Sequence, residues 1–256
     1  MRRMRHLKPR EIQGCDIAFQ FWRPETLFDA TSGGSAVGSG GSIARAEDVS
    51  GNGNHATQST GASQPTRQIA AQNGMDAARF DGSNDYLNAG DVADTRTNPI
   101  DAYACFIRTG SYGFKGVFGK SRAAASHGRW SFLLEYGDDG MVSNDSTGNG
   151  SNATLATSTA LQLLHLSATR TGTNSQTLRR NESTSLTVSP SVSATDLNSV
   201  DLVMIGCYQN ATGTAPLSGS YIGADILECG KFSRLLSDES RKRLQHSIMR
   251  RMRISG

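Results

Sequence analysis

No run of eighteen apolar residues occurs in this 256-residue chain, which excludes a membrane-spanning helix. Acidic residues are missing from both ends. Residues 1 to 10 carry Arg2, Arg3, Arg5, Lys8 and Arg10, and residues 241 to 256 carry Arg241, Lys242, Arg243, Arg250, Arg251 and Arg253. These eleven leave 15 basic against 23 acidic residues, so a net charge of +3 conceals a body near −8 with cationic ends. Chain ends usually lie at the surface and close together, so the two could merge into one basic patch. Such a patch favours an anionic neighbour: an acidic protein surface, a phosphate-bearing glycan or, least expected, a nucleic acid. Two solvated ends that aid solubility are the plainer alternative.

Cysteine is scarce and scattered. Cys15, Cys105, Cys207 and Cys229 form no C-x-x-C, and three sit in apolar strand-like runs, so they read as reduced, buried small hydrophobes rather than disulfides or zinc ligands. The basic start resembles that of a signal peptide, but Glu11, Gln13 and Asp16 precede any apolar segment, and Sec-type export is not expected. The apolar fraction of 36% is low until the 28 glycines are added, which brings it to about 47%, enough for one sizeable core. One domain is expected over residues 15 to 256, preceded by a basic arm over residues 1 to 14 that Gly14 closes.

Short β-branched and aromatic runs follow in quick succession: 77–80, 86–88, 103–108, 116–119, 130–136, 161–169, 177–180, 185–188, 202–208 and 221–232. Glycine, asparagine and aspartate turns separate them, which indicates an antiparallel all-β fold rather than alternating βα units. Residues 31–41 and the polar stretch 143–159 read as loops. Within 161–170, Leu164, Leu166 and Ala168 share one face, which makes His165 a surface or sheet-face histidine rather than a ligand or base. A single helix is expected over residues 238–252. Ser237 caps it, Asp238 and Glu239 open it, and Leu244, Ile248 and Met252 dock it, leaving Arg241, Lys242, Arg243, Arg250 and Arg251 outward.

Two segments carry a resemblance. Asp48-Val-Ser-Gly-Asn-Gly-Asn-His-Ala56 is followed by Ala78-Arg-Phe-Asp-Gly-Ser-Asn-Asp-Tyr-Leu87, and the run 219–240 ends in Leu-Ser-Asp-Glu-Ser. In this order and spacing they resemble the laminin-G-like branch of the concanavalin A-like lectin/glucanase superfamily, over roughly residues 45 to 250. The resemblance implies a two-sheet antiparallel β-sandwich of jelly-roll type that binds rather than cleaves. Glycan-cleaving members place carboxylates along one strand in a run such as E-x-D-x-E, about 5 Å apart across the groove. That run is missing. Glu135 and Asp138-Asp139 straddle a glycine turn, and Asp225 and Glu228 have the wrong phase to share a face. No G-x-S-x-G, P-loop or H-E-x-x-H occurs, and Gly51-x-Gly53-x-x-Ala56 lacks the strand-to-helix context of a dinucleotide loop.

Calcium is the one cofactor the resemblance suggests, with Asp81, Asn84 and Asp85 as hard oxygen ligands from one turn and Asp138, Asp139, Asp48 or Asn52 as alternatives. The other reading is that these residues bond their own backbone. A sugar would need an aromatic platform beside polar side chains, for which Tyr86, Tyr112, Phe114 and Asn84 are the candidates, with Trp130 and Tyr136 behind them. A lectin-like sandwich without an export signal suggests a virion, in particular bacteriophage, surface protein that folds in the host cytoplasm. Its docking residues would be Arg2, Arg3, Arg5, Arg250, Arg251 and Arg253, and it would form a multi-copy assembly on an acidic capsid or tail surface. The alternatives are a free-standing or cell-surface glycan-binding protein and, less favoured, a glycoside hydrolase.

Overall fold

The computed structural model describes residues 9–94, 99–111, 113–120, 130–135, 138–143, 151–156, 160–169, 175–182, 184–188, 201–213 and 215–254. The strands are β1 (Cys15–Gln20), β2 (Leu27–Phe28), β3 (Arg45–Ala46), β4 (Ala56–Thr57), β5 (Thr66–Gln72), β6 (Met75–Asp81), β7 (Leu87–Gly90), β8 (Ile100–Arg108) and β9 (Lys115–Lys120). They continue with β10 (Trp130–Glu135), β11 (Asp138–Ser143), β12 (Ser151–Ala156), β13 (Gln162–Thr169), β14 (Ser175–Arg180), β15 (Thr184–Val188), β16 (Val203–Ile205) and β17 (Gly223–Phe232), and helix α1 (Asp238–Met252) ends the fold. They form a two-sheet antiparallel β-sandwich, as the turn chemistry predicts.

The first sheet runs β15-β14-β13-β8-β17-β6-β5, and the second runs β12-β11-β10-β9-β16-β7-β4-β3-β2. β8 lies along the length of β17, whose other edge is shared between β6 at Gly223–Ile226 and β1 at Glu228–Phe232. Alternation fills the space between the sheets. Ala102, Ala104 and Phe106 of β8, with Leu164, Leu166 and Ala168 of β13, meet Leu87, Val117, Val203 and Ile205 of the second sheet in one core. The opposite face of the first sheet is also buried. Tyr103, Cys105, Leu163, Leu227 and Phe232 pack there against Leu244, Ile248, Met249 and Met252 of α1. With both faces covered, β8 and β17 are buried almost throughout, as a one-sided sheet would not be.

Helix α1 has the predicted bounds. Ser237 Oγ accepts from the Ser240 N–H at 3.2 Å, Asp238 and Glu239 open the first turn, and Arg253 closes the helix in the left-handed region at φ 53°. No helix among the described residues is long and apolar enough to cross a membrane. All four cysteines are free thiols, three of them buried. Burial pushes each thiol up from its ordinary value, which leaves these groups protonated and inert.

The structure corrects several expectations. Residues 143–159 are not a loop throughout, since β12 pairs with β11 within that stretch, and β5 adds an edge strand where none was expected. The described residues of the arm dock on the fold: Pro9 is buried, Ile12 joins the core beneath α1, and the Gly14 carbonyl accepts from the Ser233 N–H. His165 does stand on the sheet face, but that face is closed by the helix, and its Nε2 lies 2.7 Å from Asp101 Oδ1 with both side chains fully buried.

Candidate functional site

One end of the sandwich is built by three glycines. Strands β6, β8 and β17 converge there because a Cβ on Gly110 would sit 2.9 Å from the Gly223 Cα, and one on Gly223 would sit 2.7 Å from the Gly110 Cα. The Thr109 and Gly110 N–H groups both donate to the Gly223 carbonyl, at 2.8 and 2.9 Å. Gly82, at φ +81°, lets the turn after β6 pass beside the same residue. The segment before β17 is tied to β9 by Lys115 Nζ donating to the Gly219 carbonyl at 2.8 Å and by the Gly116 N–H donating to that of Ser220 at 2.9 Å. The loops 82–86 and 217–223 and the described residues of 109–115 therefore share one rim.

This rim holds the sequence-predicted aromatics that lie among the described residues. Phe114 is 47% exposed. Tyr86 is half-buried and pairs with Tyr221, their ring centroids 6.4 Å apart at 41°. Burial and the neighbouring Cys207 and Tyr86 raise the Tyr221 hydroxyl above its ordinary value, so it stays a donor. Sequence reasoning missed Tyr221, whose partner lies 135 positions away. Tyr112 is outside the described residues, as are the side chains of Trp130, Tyr136, Glu135, Asp138 and Asp139.

The turn at Asp81–Asp85 on the same rim bonds largely to itself. Asp81 Oδ1 accepts from the N–H groups of Ser83, Asn84 and Asp85, and Asp85 Oδ2 accepts from the Asp81 N–H at 3.0 Å. Burial, reinforced by the Asp81 charge, pushes Asp85 up from 3.8 to about 6. Among the described residues no group of three or more His, Cys, Asp or Glu gathers as a metal site.

The Asp48 loop proves to be a clamp. Asp48 is buried and accepts from the N–H groups of Ala18 and Ser50 through Oδ1, and from the Asn54 N–H and the Ser50 hydroxyl through Oδ2. His55 Nδ1 accepts from the Asp48 N–H, and the Asn52 and Asn54 amides donate to the Asp16 carbonyl. Serine, histidine and both asparagines of the motif are thus spent on holding the loop to β1.

Carboxylates elsewhere, fully buried or partly exposed, are engaged by cations. The register of β17 shifts between Ile226 and Glu228, and this bulge turns both Asp225 and Glu228 outward, which overturns the phase argument against a shared face. Neither is free. Arg79 grips Asp225 at 2.7 and 2.8 Å, while Glu228 accepts from Arg251 at 2.6 Å and from the Trp22 indole at 2.7 Å. Lys120 holds Asp91 and Asp94, and Lys231 holds Asp16.

The same contacts correct the expected docking patch. Arg251 points inward to Glu228 with its guanidinium 4.7 Å over the Trp22 ring, and Arg241 is buried against Gln245 and Asp238. Lys242, Arg243, Arg250 and Arg253 remain exposed. Arg2, Arg3 and Arg5 lie outside the described residues.

No known protein-family model and no curated protein matches the sequence. Solved structures do. A GH54 α-L-arabinofuranosidase mutant soaked with 4-nitrophenyl α-L-arabinofuranoside matches 94% of this chain and 65% of its own, at 12% identity and a TM-score of 0.64. The binding domain of Paraclostridial Mosquitocidal Protein 1 matches 82% of this chain and 51% of its own, at 13% identity and a TM-score of 0.57. An arabinofuranosidase complexed with arabinofuranosyl-α-1,2-xylobiose matches 81% of this chain and 50% of its own, at 14% identity and a TM-score of 0.57. This chain spans less than two thirds of each of these proteins. At such identities the likeness is one of fold alone, a β-sandwich shared with these arabinofuranosidase and binding-domain structures.

Proposed function

We propose that this chain is a non-enzymatic glycan-binding module of the laminin-G-like type, with its ligand seated on the rim that carries Phe114, Tyr86 and Tyr221. The observation that carries this reading is the nearly half-exposed Phe114 together with the Tyr86–Tyr221 pair, carried on loops that three glycines draw together. Aromatic faces with a few fixed polar groups are what sugar sites require, and Asn84 and the Lys115 ammonium stand on the same loops. Support for binding over cleavage comes from the carboxylates, since Asp225 and Glu228, which share a face, are each neutralised by an arginine. A calcium ion at Asp81, Asn84 and Asp85 belongs to the proposal, through Asp81 Oδ2, Asp85 Oδ1 and the Asn84 amide.

A glycan array followed by calorimetry tests the reading. Phe114→Ala and Tyr221→Ala should each weaken binding of the best glycan by about tenfold without lowering the melting temperature, the loss of one aromatic contact. Arrays with no binder, or variants that bind as the parent does, would overturn it, and so would sugar release by the purified protein. Calcium is read separately, as a rise in melting temperature on adding the ion after chelation, lost in Asp81→Asn.

A second reading is favoured by one observation, the cluster Lys242, Arg243, Arg250 and Arg253 left exposed on α1. It makes the chain a multi-copy virion surface protein docked on an acidic particle. Because Pro9 and Ile12 pack into the fold, the proper truncation removes residues 1–8 alone. That deletion, or neutralising Arg250 and Arg253, should weaken co-sedimentation with particles in a salt-dependent way; retention unchanged at low and high salt would remove the reading.

A further inference from the structure

We propose that a cavity of about 230 Å³ between the Pro9–Glu11 turn, the end of β1 and the 47–51 segment is a second ligand site, one that takes a single carboxylate-bearing sugar unit. It stands apart from the aromatic rim and does not depend on the reading of that rim. Its volume falls below the roughly 300–1,000 Å³ of pockets for drug-sized molecules, so one ring fits and an oligosaccharide does not. The polar groups that matter are Arg10, Gln20, Arg23, Thr26 and Glu47.

The walls are fixed before any ligand arrives. The Val49 N–H donates to the Ala18 carbonyl and the Glu47 N–H to that of Thr26, both at 2.8 Å, which seats the 47–51 segment against β1. Thr26 Oγ1 donates to the Arg23 carbonyl at 2.8 Å and holds the turn after β1. Arg23 is braced by Glu25, through Nε at 2.9 Å and Nη2 at 2.8 Å, and its Nη1 leans on Gln20 Oε1 at 3.4 Å. Gln20 itself is 4% exposed, and among the described residues nothing accepts from its amide nitrogen. That nitrogen is not among the fully buried side-chain atoms, so at the wall of this cavity it is open to donate to a ligand.

The chemistry of the lining selects the ligand. Arg10 is exposed and has no partner among the described residues, and Arg23, whose Nε and Nη2 are held by Glu25, has only its Nη1 side to offer, so the donors come from Arg10, the remaining edge of Arg23 and the Gln20 amide. Planar guanidinium forks match a carboxylate in geometry as well as charge. Glu47, whose nearest cation is Arg45 at 3.6 Å, supplies acceptors for hydroxyl groups and disfavours a doubly charged phosphate. A monoanion that carries hydroxyls, as a uronic acid does, satisfies both sets.

Titration of the full chain with glucuronate, followed by amide NMR and calorimetry, tests the assignment. Glucuronate should shift the Gln20 side-chain amide and bind more weakly as salt rises, and glucose and inorganic phosphate should bind at least tenfold more weakly. Arg10→Gln, at an exposed position that leaves folding intact, and Arg23→Lys, which keeps the charge but loses the fork, should each weaken glucuronate about tenfold, the worth of one charged hydrogen bond. Phe114→Ala should leave it unchanged, which separates this site from the rim. No glucuronate binding, equal binding of glucose or phosphate, a stronger response to a free amino acid such as glutamate, or full affinity in the Arg10→Gln/Arg23→Lys double variant would overturn the proposal.

Discussion

Arg251 shows how far a single residue can depart from its helical pattern. It sits at a position that periodicity assigns to solvent, yet its guanidinium lies over Trp22 and bonds Glu228, a carboxylate with no solvent exposure. Arg251→Met strands that charge in the interior and should cost about 3–5 kcal/mol in chemical denaturation, whereas the Glu228→Gln/Arg251→Met double variant should recover most of the loss. A single variant as stable as the parent would show that the pair contributes little. Asp85 has the opposite character, since its folded-state pKa is raised from 3.8 to about 6. The folded protein then holds this proton more tightly than the unfolded chain, so the contribution is favourable below about pH 4 and is lost as pH rises from about 4 to about 6. In a chelating buffer, Asp85→Asn should remove this gain on acidification and hold stability level over that window. The self-bonded turn at Asp81 and the cap at Ser237 were legible in the sequence because their partners lie within four residues. The Glu228 pair was not, since its members lie 23 positions apart and a bulge just before Glu228 sets the face it occupies.

At the scale of elements, strands that bury at least one face announced themselves through alternation, as β8, β13 and β17 did. The strands β5 and β12 did not, because their residues are mostly polar or small and are strands only by virtue of a neighbour. The bulge in β17 was only half visible: the adjacent apolar pair Ile226-Leu227 interrupts the alternation, but only pairing with β8 places the extra residue. Glycines set the closest approaches between elements. A methyl group on Gly223 would meet Gly110 backbone at 2.7 Å, so Gly223→Ala should destabilise by about 1–3 kcal/mol and also weaken any ligand of the rim, while Gly53→Ala, where nothing lies within 4 Å, should cost less through its positive φ alone. Thermal unfolding of the two variants side by side would decide it.

For the molecule as a whole, the decisive arrangement is a three-layer stack of two sheets and one helix, with cores on both sides of the first sheet. Removing residues 237–256 should therefore do more than shorten the chain. It would bare Tyr103, Cys105, Leu163, Leu227 and Phe232 together with the buried charges of Asp101 and Glu228. The truncated protein should aggregate or bind a hydrophobic dye at neutral pH, and a soluble monomer with unchanged melting temperature would refute the stacking argument. The two ligand sites proposed above lie on separate parts of this stack, one on loops that connect the sheets and one beside the end of β1. Variants in either can then be read independently.

The amino-acid sequence alone settles what local chemistry controls: turns where Asn, Asp and Gly accept left-handed backbone, strands that alternate, a capped helix of fifteen residues and its buried stripe. It also carries the family-like motif, although not its job, since Asp48, Asn52 and Asn54 act on Ala18 and Asp16 some thirty to forty positions away. Tertiary structure alone decides which charges are spent and which are free. A cation and an anion find each other through space, and sheet pairing, bulges and the docked helix set those distances. The pairing of Tyr86 with Tyr221, the inward turn of Arg251 and the cavity beside Gln20 all arise in that way, from contacts whose members are remote in the chain.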